Sequence, residues 1–175
     1  MKRWVLKHGH LLAGALVMAG CSGGDSTGLA TNAGARPGPA TNTGPTACSL
    51  ITLDEAKQAL SGLDLKPARE DSLGNFSSCY FESVAPFGGS VTLLLRWSSL
   101  SREDFEKSAQ ANATGMFPVA VAPFPDVGEE AFSAGDTLLA FAKNREITVF
   151  VGFDGSTEAR LAAEKPLAVI ALGRL

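Results

Sequence analysis

Histidine is nearly absent from this chain of 175 residues: there are only two, His8 and His10. If residues 1–20 form a leader that is removed, the remaining protein contains no imidazole. This excludes serine–histidine and cysteine–histidine catalysis, and it excludes histidine-ligated zinc or iron sites. An enzyme built on this chain would have to use carboxylates, lysine, tyrosine or hydroxyl groups.

Clusters of basic residues are missing as well. Loss of Lys2, Arg3 and Lys7 with the leader leaves 12 of the 15 basic residues against 18 acidic ones, a net charge of −6. Nucleic-acid binding depends on clustered lysine and arginine, so no nucleic-acid partner is expected. GxSxG, SxxK, Walker and GxGxxG motifs are also missing, and no cofactor is predicted.

The first 20 residues have the pattern of a signal peptide. The basic residues precede the apolar stretch Leu11–Met18, which is too short to span about 30 Å of hydrocarbon as a helix. Val17–Cys21 resembles a bacterial lipobox, with Met18 in place of the commoner leucine. We therefore expect Cys21 to carry a diacylglycerol and to become the new N-terminus. The alternative is a cut by ordinary signal peptidase that leaves Cys21 as a free thiol.

Two acyl chains on Cys21 would hold the protein stably on the extracytoplasmic side of a bacterial membrane, at the cell surface or in the periplasm. Residues 21–47 follow as a tether rich in Gly, Thr, Ala, Asn and Pro, and this composition cannot build a core. A flexible coil of this length reaches about 25 to 30 Å. Residues 48–175 are predicted to form a single globular domain.

Two further cysteines, Cys48 and Cys79, lie in the globular part. An even pair in an exported domain predicts a disulfide, which would hold the first helix against the sheet. Two buried free thiols are one alternative. A redox pair is another, although the chain has no CxxC spacing.

Hydrophobic periodicity predicts an α+β domain. Thr52 and Glu55 have capping-box spacing, and apolar residues recur on a helical period from Leu53 to Leu63, which predicts a first helix ended by Gly62. Pro67–Asn75 is interpreted as a polar connection. Strands are predicted at 77–83, 90–98, about 130–133, 137–142 and 146–153, and further helices at 101–113 and from 156 or 157 onward. The expected fold is an antiparallel sheet of about five strands with helices packed on one face, and the last strand is central.

The chain resembles small secreted lipoproteins, mostly actinobacterial, whose domains are similar to the PsbP and Mog1 type of α+β fold. The resemblance is carried by the lipobox at Cys21, by Cys48-Ser-Leu-Ile-Thr52, by Cys79-Tyr-Phe81 and by Val127-Gly-Glu-Glu-Ala-Phe132. It implies a role in binding or assembly at the cell envelope and brings no catalytic residues.

Acidic residues concentrate around one predicted turn: Asp126, Glu129, Glu130 and Asp136. Carboxylates can hold Ca²⁺, but the spacing matches no EF-hand, and a solvated turn explains the same residues, so no metal is predicted. A carboxylate hydrolase of envelope polymer would pair Glu129 or Glu130 with Asp154, although nothing in the sequence brings these residues together.

Most of the aromatic residues occupy inward strand positions, which is typical of core packing. Phe87, Phe117 and Phe124 instead fall in segments rich in Gly and Pro, and we predict that they form a partner or ligand surface. The favoured function is a non-enzymatic, membrane-anchored module that binds an envelope protein or a small ligand. The alternatives are the carboxylate hydrolase and a purely structural subunit of an envelope complex.

Overall fold

The computed structural model of the chain describes residues 44–116 and 118–175. The predicted leader, the lipid-modified Cys21, most of the tether and Phe117 lie outside the described residues. Within them, no helix has the length and apolar character needed to cross a membrane.

The described residues form a mixed α+β domain, as the sequence predicts. The helices are α1 (Ala47–Leu50), α2 (Leu53–Ala59), α3 (Arg102–Thr114) and α4 (Thr157–Gly173). The strands are β1 (Arg69–Leu73), β2 (Phe76–Glu82), β3 (Ser90–Arg96), β4 (Val121–Pro123), β5 (Glu130–Ala134), β6 (Thr137–Ala142) and β7 (Arg145–Gly152).

All seven strands belong to one antiparallel sheet with the order β1-β2-β3-β7-β6-β5-β4. The antiparallel arrangement and the central place of β7 are confirmed. The expected count of about five strands is wrong. The interpretation of Pro67–Asn75 as a polar connection accounts for part of the error, because Arg69–Leu73 is edge strand β1. Every residue of β1 is exposed, so the strand is held by backbone pairing and lacks the apolar alternation that predicts a strand.

The expectation that the helices pack on one face is also wrong. Helices α1, α2 and α4 cover a core that includes Leu93, Leu138 and Val149, whereas α3 packs Phe105 and Ala109 against the opposite face. The cause lies in β6, whose sequence Thr-Leu-Leu-Ala-Phe-Ala is buried on both sides. A strand that is apolar on both faces needs cover on both.

The start of the domain differs slightly from the prediction. The capping box at Thr52 and Glu55 is present, but α2 ends at Ala59, so Leu63 lies beyond the helix and is 37% exposed. Ser61 and Gly62 have positive φ values of 56° and 81°, and the Gly62 amide donates to the Lys57 carbonyl at 2.7 Å. This left-handed turn is a common way to end a helix.

The chain is already packed before Cys48. Ala47 is fully buried, and its amide donates to the Ser77 hydroxyl at 2.9 Å. The Trp97 indole donates to the Pro45 carbonyl, also at 2.9 Å. The last residues of the predicted tether therefore pack against the domain. They lie at the end of β3 opposite the β2–β3 loop.

Candidate functional site

A cleft lies at one end of the sheet. It has a volume of about 700 Å³ and is shallow and broad. One wall is the β2–β3 loop, residues 83–89, and the other is the β7–α4 junction, residues 152–156, with Arg160 from the first turns of α4. The pairing of Ser90 with Gly152 in the sheet brings the two walls together.

Phe87 stands at the tip of the β2–β3 loop with its side chain wholly exposed. Its φ of 61° is unusual for a bulky residue. The loop allows this because Gly88 and Gly89 follow: a Cβ on Gly88 would clash with the Ser83 side chain, and Gly89 has φ 118° and lies against the Gly152 carbonyl. Two glycines thus permit the turn that presents the Phe87 ring to solvent.

The charged groups of the cleft are largely paired. On the wall formed by the β2–β3 loop, Lys66 Nζ lies 3.4 Å from Glu82 Oε2. On the opposite wall, Arg160 Nη1 contacts Asp136 Oδ2 at 2.5 Å, and its other nitrogens donate to the carbonyls of Phe153 at 3.2 Å and Gly155 at 3.1 Å. The cleft is therefore close to neutral and offers an apolar ring as its most accessible feature.

A buried carboxyl lies behind the second wall. Glu164 of α4 is fully buried, and its Oε1 accepts a hydrogen bond from the Val151 amide at 2.9 Å. Its Oε2 is also buried and has no hydrogen-bond partner. Burial away from water raises the pKa of Glu164 from 4.5 to about 8, against the lowering effect of the backbone hydrogen bond from Val151.

Of the three predicted surface aromatics, the structure describes Phe87 and Phe124, and it places them at different sites. Phe87 lies at the cleft, whereas Phe124 lines a separate pocket formed by residues 123–132. Phe124 is half-buried against the main core, with Lys165 Nζ 5.8 Å from the ring centre. The turn after β4 folds back on the core, so Phe124 is only partly exposed, and its place in a partner or ligand surface stays a prediction.

The acidic residues of the predicted turn are each held by a different group. Asp126 contacts Lys165 at 3.4 Å, Glu130 contacts Arg102 at 2.8 Å, and Glu129 accepts from the Lys143 amide at 2.8 Å. In the described ranges, no three His, Cys, Asp or Glu side chains form a group that could hold a metal ion.

The carboxylate pair that a hydrolase would need is also not formed. Glu129 and Glu130 line the pocket around Phe124, whereas Asp154 lines the cleft beside Phe87. Glu130 begins β5 beside the end of β6, and Asp154 follows the opposite end of β7.

Cys48 and Cys79 are placed together, as the sequence predicts. Their sulfur atoms lie 2.04 Å apart, at disulfide distance, and the pair joins α1 to β2. Cys79 is fully buried, so the link lies inside the core and beneath the first helix.

Two ionisable groups that sequence reasoning did not single out are buried. Glu164 lies in a helix whose apolar periodicity draws no attention to it. Glu146 on β7 is nearly buried beside Arg96, at 3.2 Å, and burial raises its pKa while Arg96 opposes the rise. The only signal in the sequence was a carboxylate among apolar neighbours, Ala162-Ala-Glu-Lys-Pro-Leu167, and that pattern is common on exposed helices.

The structure and sequence thus define an α+β domain with one broad cleft, an exposed aromatic loop and a buried carboxyl behind the cleft wall. Comparisons of the chain with protein-family models, with curated proteins and with solved structures gave no match.

Proposed function

We propose that this protein is a membrane-anchored extracytoplasmic lipoprotein whose domain binds a protein partner at the β2–β3 loop. The anchor rests on the lipobox at Cys21 and on the basic and apolar segments before it. The resemblance to small secreted lipoproteins points in the same direction. The PsbP-like classification of the domain is part of this proposal.

The observation that carries the binding function is the exposure of Phe87. Leaving a phenylalanine ring in water costs free energy that burial in a partner would recover. Aromatic residues dominate the energetics of protein interfaces, where they fill pockets on the partner. The Ser83 amide donates to the Gly89 carbonyl at 3.0 Å and the Gly88 amide donates to the Ala85 carbonyl at 3.1 Å. Because these bonds order the turn before binding, less conformational entropy is lost when Phe87 is captured.

A protein fits this surface better than a small molecule does. The cleft is shallow, whereas sites for small molecules enclose most of the ligand surface. Val84 beside Phe87 is 57% exposed and extends the apolar area along the loop. The adjoining Lys66 and Glu82 pair supplies the polar rim that is typical of protein interfaces.

Replacement of Phe87 by serine tests this proposal. In cells that express the full lipidated protein, photo-crosslinking through a reactive residue at position 86 should capture a discrete partner. We expect the Phe87→Ser variant to reduce this capture at least about tenfold, because truncation of a central aromatic anchor typically costs about 2 kcal/mol or more.

Leu73→Ser is the matched control. Leu73 is also strongly exposed, at 84%, but it lies on β1 at the far end of the sheet, in register with Phe76. The control should leave capture unchanged. Equal capture by the Phe87→Ser variant and the wild-type protein would show that the loop is not the binding surface.

A further inference from the structure

Glu164 is a buried carboxyl that the proposed binding surface does not use. Its Oε1 accepts a hydrogen bond from the amide of Val151 near the end of β7, and the backbone of Leu138 on β6 also lowers its pKa. Its second oxygen is buried and has no partner at hydrogen-bond distance. A carboxylate in this position carries a charge that neither water nor a direct counter-ion neutralises, whereas a protonated carboxyl carries none. The geometry therefore favours the protonated form.

Two charged side chains act on Glu164. Asp136, in the turn between β5 and β6, raises its pKa, and Arg160, one turn earlier on α4, lowers it. Strand β6 contributes no titratable side chain, and the titratable residues of β7, Arg145 and Glu146, stand at the start of that strand, away from Val151.

The remaining neighbours of α4 are engaged elsewhere. Helix α1 has no side chain that titrates. In α2, Glu55 contacts Arg174 at the end of α4, at 2.6 Å, and Lys57 contacts Asp64 at 3.6 Å. Asp54 is exposed near the start of α2. On α4 itself, Lys165 contacts Asp126 at 3.4 Å, and Glu158 is an exposed first-turn residue.

Arg160 connects this buried group to the cleft. Its guanidinium binds Asp136 and the carbonyls of Phe153 and Gly155, so it fastens the β7–α4 junction to the body of the domain. Arg160 is also the positively charged side chain that acts on Glu164. Arg160 precedes Glu164 by four residues on α4, the spacing at which two side chains share one face of a helix. Its guanidinium can therefore reach either the Glu164 carboxylate or its present partners at the junction.

We propose that Glu164 and Arg160 form a proton-controlled latch on the wall of the cleft. While Glu164 is protonated, Arg160 remains with Asp136 and the junction carbonyls, and the wall is fixed. When Glu164 loses its proton to solvent, its carboxylate draws Arg160 away from those partners and admits water, and residues 152–156 loosen. The O–H bond of the carboxyl is the only covalent bond broken, and its proton goes to solvent.

The direction of the pH dependence follows from the raised pKa of Glu164, about 8 in the folded protein against an ordinary 4.5. Between these values the folded state holds a proton that an opened state releases, so each rise in pH favours opening. Opening that exposes the carboxyl should become more frequent by up to about tenfold per pH unit over this window, and the effect should level off above about pH 8.

Nuclear magnetic resonance of the full-length protein in detergent tests the latch without any partner. We expect the amide resonances of Val151 and Gly155 to titrate together with a midpoint near pH 8. Amide exchange, corrected for its intrinsic pH dependence, should accelerate at the same two sites between pH 6 and 8. In Glu164→Gln both effects should vanish, whereas the exposed Glu158→Gln should behave as wild type.

The Arg160→Lys variant distinguishes a latch that moves the junction from the simple titration of a buried acid. The shorter ammonium cannot bridge the same carbonyls, so Val151 should still titrate while Gly155 no longer follows it. If Glu164→Gln fails to fold, the side-chain carboxyl resonance of Glu164 in the wild-type protein decides the matter. A midpoint near 4.5 there, or unchanged titration of Gly155 in Arg160→Lys, would overturn the latch and leave the binding function of Phe87 untouched.

Discussion

At the scale of single residues, the carboxylates of this domain divide by their access to water and to arginine. Glu55 receives two hydrogen bonds from the Arg174 guanidinium, at 2.6 and 2.8 Å, and these hold its pKa at about 2. Glu164 has no such partner, and burial moves its pKa the other way. The pKa values of these two glutamates are therefore shifted in opposite directions from the ordinary 4.5.

The contribution of the Glu55–Arg174 pair to the free energy of unfolding should decrease in acid. Because the folded pKa of Glu55 is lowered, its contribution is complete above about pH 4.5 and is lost as pH falls toward 2. Both side chains are partly exposed, so we expect a contribution of only about 1 to 2 kcal/mol. Urea unfolding of Glu55→Gln should show this loss at pH 7 and little difference from wild type at pH 2.

Lys57→Gln is the control for that comparison. It removes an exposed ion pair with Asp64 from the same helix and should change the unfolding free energy by less than about 0.5 kcal/mol at either pH. A constant difference between Glu55→Gln and wild type from pH 2 to pH 7 would contradict the assigned pKa.

At the scale of elements, helix α1 is fastened both to the sheet and to the segment after α4. Cys48 of α1 joins Cys79 of β2, and Arg174 after α4 donates to the Leu50 carbonyl at 2.8 Å. Helix α1 has only four residues, too few to be stable by itself. Its position depends on these connections and on burial of Ala47 and Leu50.

Loss of the link between Cys48 and Cys79 should therefore destabilise the whole domain. The two residues are separated by 31 positions, and a closed loop of this length restricts the unfolded chain by about 3 to 4 kcal/mol. We expect Cys48→Ser with Cys79→Ser to lower the free energy of unfolding by about this amount. Thermal unfolding of wild type with and without reductant provides the matched comparison, and equal stability under both conditions would contradict the prediction.

At the scale of the whole domain, the proposed binding loop and the first described residues lie at opposite ends of β3. Pro45 contacts Trp97 at one end of β3, and the β2–β3 loop with Phe87 lies at the other end. Under the proposed function, an anchor joined at the Pro45 end would leave the β2–β3 loop free to meet a partner. Helix α3 packs mainly against β4, β5 and β6.

The anchor itself can be tested on the mature protein. We expect globomycin to cause the precursor to accumulate, and mass spectrometry of the untreated product to find residue 21 at the N-terminus with a diacylglycerol on its sulfur. Cys21→Ser should release the domain from the membrane fraction while its thermal unfolding stays unchanged. An unmodified sulfur at residue 21 would rule out the lipoprotein assignment.

Features encoded by neighbouring residues were predictable from the sequence. The predicted capping box at Thr52 is present, and the helices predicted to start at 101 and at 156 or 157 begin after the N-caps Ser101 and Ser156. A hydroxyl that binds an amide three residues ahead needs no distant partner. Strand β6 was predicted at its observed bounds, and α4 from its observed start, since both carry clear apolar patterns. The pairing of Cys48 with Cys79 was predictable because the globular part holds only these two cysteines.

Tertiary structure alone decided the rest. It made a strand of the exposed Arg69–Leu73 by backbone pairing with β2, placed α3 on the second face, and separated Phe124 from Phe87. It also buried Glu164 by laying α4 across the end of β7. Burial and backbone pairing depend on which distant segments come into contact, and the local sequence of one segment does not specify its partner.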